Sequence, residues 1–134
     1  MDILKSSNVE RIMFDKFGAV RTKELMEALA KNGKYQLTTD ELALLREDFD
    51  ASFSDDEECE AVVGEYAKKG YIMDPHTATC MRAYKTLREK DLKTVVYSTA
   101  EWTKFSPSVS KSLGHEVKDD VEALKWVSEN AGVT

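Results

Sequence analysis

Apolar positions recur along most of this chain at helical spacing. Val9, Ile12, Met13 and Phe17 share one face of a helix that Gly18 closes. Leu25, Met26 and Leu29 predict a second, short helix ending at Asn32-Gly33, and Leu42, Leu45 and Phe49 a third. Cys59, Val62, Val63, Tyr66 and Ala67 mark a fourth, which Gly70 ends. Capping boxes stand near three of the starts: Ser7 with Glu10, Thr38 with Glu41, and Ser54 with Glu57. Asp74-Pro75 opens a further helix, with Asp as the cap and Pro at the first helical position, and Met81, Tyr84 and Leu87 continue it. Ser106-Pro107 opens a short helix ending at Leu113-Gly114. Asp119 with Glu122 caps a last one carrying Val121, Leu124 and Val127.

Between these helices lie short runs with strand character: residues 35–37, 49–53, 71–73, 95–99 and 115–118. The best is Val95-Val96-Tyr97-Ser98-Thr99-Ala100, a β-branched apolar run that stops at two hydroxyl side chains. The pattern predicts one domain over residues 1–134, mainly helical over 1–70 and βαβα over 71–134. The expected class is α/β: helix-rich, with a small, mostly parallel sheet flanked by helices. So many helices for so few strands suggest a sheet that takes further strands from elsewhere. Ligands of such sheets bind beyond the carboxyl ends of the strands, where Ser98 and Thr99 fall.

Composition narrows the function. Of 134 residues, 42% are hydrophobic, enough for a core, and 33% are charged with a net charge of −6. An acidic balance argues against a nucleic-acid partner, which needs a basic footprint. It leaves room for an anionic small ligand held by local N–H groups. No apolar run approaches membrane-spanning length, and the first residues lack the pattern of a signal peptide. Cys59 and Cys80 fall at apolar helical positions and read as reduced core thiols, so the expected compartment is the cytoplasm.

The acids from Asp48 onward begin like a calcium loop. Phe53 stands where the turn needs Gly, however, and Cys59 where a bidentate Glu is needed. His76 and Cys80, four residues apart, lack companions for a zinc site. Asp74-Pro75-His76-Thr77-Ala78 places His76 and Thr77 in the first turn of a helix directly after an expected strand, where an anion is favoured; a well-capped helix explains the same residues. Asn8 and Arg11, beside the first capping box, could supply hydrogen bonds or charge to a phosphate or carboxylate.

Three segments, in this order, resemble the threonine synthase family, pyridoxal-phosphate enzymes of the tryptophan-synthase-β fold type. They are Asp2-Ile3-Leu4-Lys5-Ser6-Ser7-Asn8-Val9-Glu10-Arg11, then Tyr71-Ile72-Met73-Asp74-Pro75-His76-Thr77-Ala78, then Tyr97-Ser98-Thr99-Ala100 with Lys104-Phe105. The resemblance implies the C-terminal portion of such an enzyme, an incomplete piece of its large domain. The family converts O-phosphohomoserine and water to threonine and phosphate, with the cofactor as electron sink. By that resemblance Thr99, or its neighbour Ser98, meets the pyridine nitrogen of pyridoxal phosphate, and a hydroxyl there leaves the nitrogen largely unprotonated. Asn8, Arg11, His76 and Thr77 match family motifs near the substrate. Glu101-Trp102 stands where many members have His-Pro, so Glu101 takes no role.

The family's Schiff-base lysine and phosphate-binding loop have no counterpart in these residues. The expectation is therefore no catalytic residue in this segment, no metal, no cofactor held by the chain alone, and no activity without the remainder of the enzyme. A second reading stays open: a stand-alone interaction module or split subunit that binds a partner through an exposed half-site. Either way, an uncovered sheet edge predicts self-association.

Overall fold

A computed structural model of the chain describes residues 6–98 and 100–131. They fall into two compact units that meet in the sequence at Asp50 and Ala51.

In the first unit, Ser6 accepts the Val9 N–H and starts α1 (Ser7–Asn32). The cap is thus one residue before the expected Ser7. α1 comprises the first two predicted helices, interrupted where expected at Gly18. The backbone there has φ 76° and ψ 173°, a conformation that only glycine adopts without strain. Thr22 restarts the hydrogen bonding by donating its hydroxyl to the Gly18 carbonyl at 2.9 Å. Gly33 then caps the far end by donating its N–H to Leu29. Met13, Thr22, Leu25 and Leu29 are buried.

The Thr38–Glu41 box forms as read and starts α2 (Thr39–Arg46). Glu41 also ties α2 to α1: Arg21 donates to it from Nε at 2.6 Å and from Nη2 at 3.1 Å, a two-pronged, charge-assisted pair. Arg21, helped by the Thr38 N–H, pulls the Glu41 carboxyl down from 4.5 to about 2.

The second unit begins with α3 (Asp56–Ala67), capped by the Asp55–Glu58 box, one residue beyond the expected Ser54–Glu57. α4 (Pro75–Leu87) follows. A 3₁₀ turn (Trp102–Phe105) then leads into α5 (Ser106–Ser112), and α6 (Asp120–Asn130) starts at the predicted Asp119 cap. α3 packs against α4 and α5, and α5 against α6. Their shared core is Val62, Val63, Ile72, Met73, Ala78, Val109 and Val127. Each fully buried Val contributes roughly 1.5–3 kcal/mol relative to an exposed one. Cys59 packs on this core as expected, but Cys80 points to solvent, and Val121 is exposed. No helix among the described residues is long and apolar enough to cross a membrane.

The sheet does not exist. Among the described residues there is no strand, so the α/β expectation is replaced by a helix-only fold. Residues 35–37, 49–53, 71–73, 95–98 and 115–118 are non-helical and none of them forms a strand. A strand is defined by ladder bonds to a second backbone, and β-branched composition supplies none of these. The consequence is clearest in the run read as a buried strand, where Val95 is 76% and Tyr97 77% exposed. The fifth position of that run, Thr99, lies outside the described residues.

Two predictions follow from this packing. A Cβ on Gly64 would sit 2.8 Å from the Ser112 carbonyl oxygen of α5. Gly64→Ala should therefore lower stability by about 1–3 kcal/mol through overpacking, despite alanine's better helix propensity, as read by urea denaturation. Separately, a carboxyl held low in the folded state stabilises fully above its unfolded value and loses that contribution as pH falls. The stability gap between the native chain and Glu41→Gln should thus be present at neutral pH and close as pH drops from 4.5 to about 2. A gap independent of pH in thermal melts contradicts the Arg21–Glu41 pairing.

Candidate functional site

Ile72 and Met73 are buried, and the chain entering from them delivers Asp74 to the start of α4 with 1% of its surface exposed. Its Oδ1 accepts the N–H groups of His76 at 2.9 Å and Thr77 at 3.2 Å, and its Oδ2 lies 2.5 Å from the Thr77 hydroxyl. Pro75 at the first helical position has no N–H to satisfy. The capping prediction is met in full, and Asp74 does more than cap, because it also holds the side chain of Thr77.

Thr77, 4% exposed, reaches across to the extended segment, where Ser98 Oγ lies 3.2 Å from its Oγ1. Ser98 itself is exposed. His76, half-buried, meets Phe105 edge-on, with ring centroids 5.1 Å apart and planes at 77°. The structure thus brings together His76, Thr77 and Ser98, drawn from two of the three sequence segments, and Phe105, also from the third. Asn8 and Arg11 lie exposed on the first turns of α1 in the other unit. A groove of about 290 Å³ in that unit is lined by Ser6, Ser7, Glu10, Met26 and Leu29, and by neither of them. Sequence reasoning assigned Asp74 only a capping role. Its burial and its grip on Thr77 are tertiary facts that no spacing announces.

Around this cluster α4 is braced on α3. Arg82 donates to Glu58 at 2.5 Å, and Cys59 Sγ lies 3.4 Å from Thr79 Oγ1. Glu65 on α3 takes Lys69 and Lys85, which hold its carboxyl down at about 2. The 3₁₀ turn carrying Phe105 runs into Ser106, whose buried hydroxyl donates to the Asp120 carbonyl at 2.9 Å. No group of three or more His, Cys, Asp or Glu side chains is placed to hold a metal ion among the described residues.

No protein-family model matches the chain. Individual relatives do. Human threonine synthase-like 1 is 35% identical over 117 residues, covering 84% of this chain and 16% of that protein. Threonine synthase of Pseudomonas aeruginosa is 34% identical over 116 residues, covering 84% of this chain and 25% of that one. Among solved structures, pyridoxal-phosphate-bound threonine synthase from Brucella melitensis superposes with a TM-score of 0.75 at 29% identity, over 98% of this chain and 28% of that chain. This chain is a homologue of a segment of threonine synthase. The resemblance carried by the three sequence segments is borne out, and the chain spans 16–26% of the length of the relatives it matches.

A matched stretch covering 84% of this chain necessarily spans the positions of Asp74, Thr77 and Ser98. Asp74→Ala should cost about 1–2 kcal/mol from the lost cap, while the Thr77 hydroxyl keeps Ser98 Oγ as an acceptor. Urea denaturation followed by circular dichroism measures it. A change below about 0.5 kcal/mol, the ordinary surface range, contradicts the placement of Asp74.

Proposed function

We propose that this chain corresponds to the C-terminal part of a threonine synthase, a cytoplasmic lyase that converts O-phosphohomoserine and water to threonine and phosphate. The observation that carries the reading is the 34% identity to a threonine synthase over 84% of the chain, supported by superposition on a cofactor-bound one. In such an enzyme pyridoxal phosphate supplies the electron sink for carbanionic steps. The hydroxyl of Thr99 or Ser98 would stand at its ring nitrogen. His76 and Thr77 would flank the substrate, and Asn8 and Arg11 would offer hydrogen bonds and charge to its phosphate or carboxylate. The Ser98 hydroxyl, exposed and backed by Thr77, fits one polar edge of that cofactor.

The Schiff-base lysine and the phosphate cradle belong to the remaining polypeptide, which is the partner this reading requires. The same polypeptide would cover Leu92, Val95 and Tyr97, all exposed here. Without it, two copies of the chain would meet on that surface. A stand-alone binding module is the second reading, and that same exposed apolar run favours it.

The test grafts this chain in place of the matching segment of the Pseudomonas aeruginosa enzyme and follows phosphate release from O-phosphohomoserine. The graft should turn over, whereas the chain alone should neither release phosphate nor develop an absorbance band with pyridoxal phosphate. Turnover by the chain alone overturns the reading, and a folded but inactive graft favours the binding module. Within the graft, Thr99→Val should lower kcat about tenfold, the equivalent of one hydrogen bond at the reacting group. Unchanged turnover moves the assignment to Ser98.

A further inference from the structure

The turn that opens α4 has no N–H left to give. Pro75 carries none, and the N–H groups of His76 and Thr77 both go to Asp74 Oδ1, at 2.9 and 3.2 Å. The Ala78 N–H goes to the Asp74 carbonyl at 3.0 Å. A bare helix start attracts anions because such groups stand free at the positive end of the helix dipole. Here a carboxylate already holds that place. Asp74 is 1% exposed, so its charge is fixed beside the cluster and salt screens it poorly. Sequence alone left both an anion seat and a capped helix open at these residues. The cap consumes the donors that the seat would need.

We infer that Asp74 is a charge filter for the candidate site. It turns a phosphate or carboxylate away from the start of α4 and leaves the place beside His76 and Ser98 to an uncharged or cationic group. Two effects act in the same direction. With the donors consumed, the attraction of the helix start is gone, and the buried like charge adds repulsion at short range. Asp74 thus sets a preference without touching the ligand. The filter stands on the hydrogen bonds of the helix start; only what it sorts rests on the proposed function. On that reading, the phosphate of O-phosphohomoserine is held away from α4.

Inorganic phosphate titrated into the isotope-labelled chain tests this, read by NMR at the amide signals of His76, Thr77 and Ala78. In the native chain these signals should show no saturable shift. Asp74→Gly removes the charge and frees both N–H groups, and glycine is itself a tolerated cap. In that variant phosphate should produce a saturable shift at the same amides, with an affinity at least about tenfold above that of the native chain. Phosphate should also raise the variant's melting temperature more than the native chain's. If Asp74→Gly does not fold, Asp74→Ser keeps a preferred cap, removes the charge and frees one of the two N–H groups, and should gain phosphate binding in the same sense. Saturable binding at these amides in the native chain overturns the filter, and so does equal affinity in the native chain and the folded variant. These readouts need neither cofactor nor substrate. An inactive graft leaves the filter standing, and phosphate binding by the native chain leaves the family reading standing.

Discussion

Burying a carboxylate costs several kcal/mol unless hydrogen bonds replace its water, and Asp74 is buried with three donors in place. The second unit depends on that satisfaction. Two of the donors are N–H groups that the start of α4 leaves free, so the carboxylate and the helix solve each other's problem. The third, the Thr77 hydroxyl, carries the constraint outward to Ser98. With Ile72 and Met73 buried on one side and Ala78 on the other, Asp74 fixes where α4 begins. That sets where His76 meets Phe105 and where Ser98 is held.

The opposite face of the core is built from small residues. Gly64 lets the Ser112 carbonyl approach α3, and Ser106 and Ser110 are buried in α5 with their hydroxyls donated to the carbonyls of Asp120 and His115. Donating to main-chain carbonyls lets a serine sit in a core without an orphaned proton. A helix that spells Ser-Pro-Ser-Val-Ser-Lys-Ser has one apolar side chain, yet it lies at the centre of the unit. Hydropathy counts serine as polar and cannot foresee that. Pro107 and the leucine-glycine stop made the helix legible where its burial was not.

What was legible elsewhere follows the range of the interaction. Helix starts were read to within a residue, because a cap is made three positions away. The slips at Ser6 and Asp55 occur where two competent capping residues adjoin and only backbone geometry chooses between them. The three segments that mark the family were legible because their residues sit in fixed local order. The strands were misread because a ladder is a contact with another backbone, and local β-branching measures only suitability for one. The Thr77–Ser98 contact spans 21 positions and joins a buried helix start to an exposed run, so no periodicity links its two ends.

That exposed run shows how a segment can keep its course without a ladder. The superposition on the Brucella melitensis enzyme extends over 98% of the chain at a TM-score of 0.75. On this chain its beginning is tied where Arg88 donates to the Lys90 carbonyl at 3.0 Å, pairs with Asp91 and stacks over Tyr84. Ser98 on Thr77 holds it again further along. Between these ties Leu92, Val95 and Tyr97 face solvent. Ties at the ends fix direction and register, whereas burial of the middle needs a second surface. The chain therefore specifies where the run lies through its own side chains, and the energy that would make it a strand has to come from another backbone.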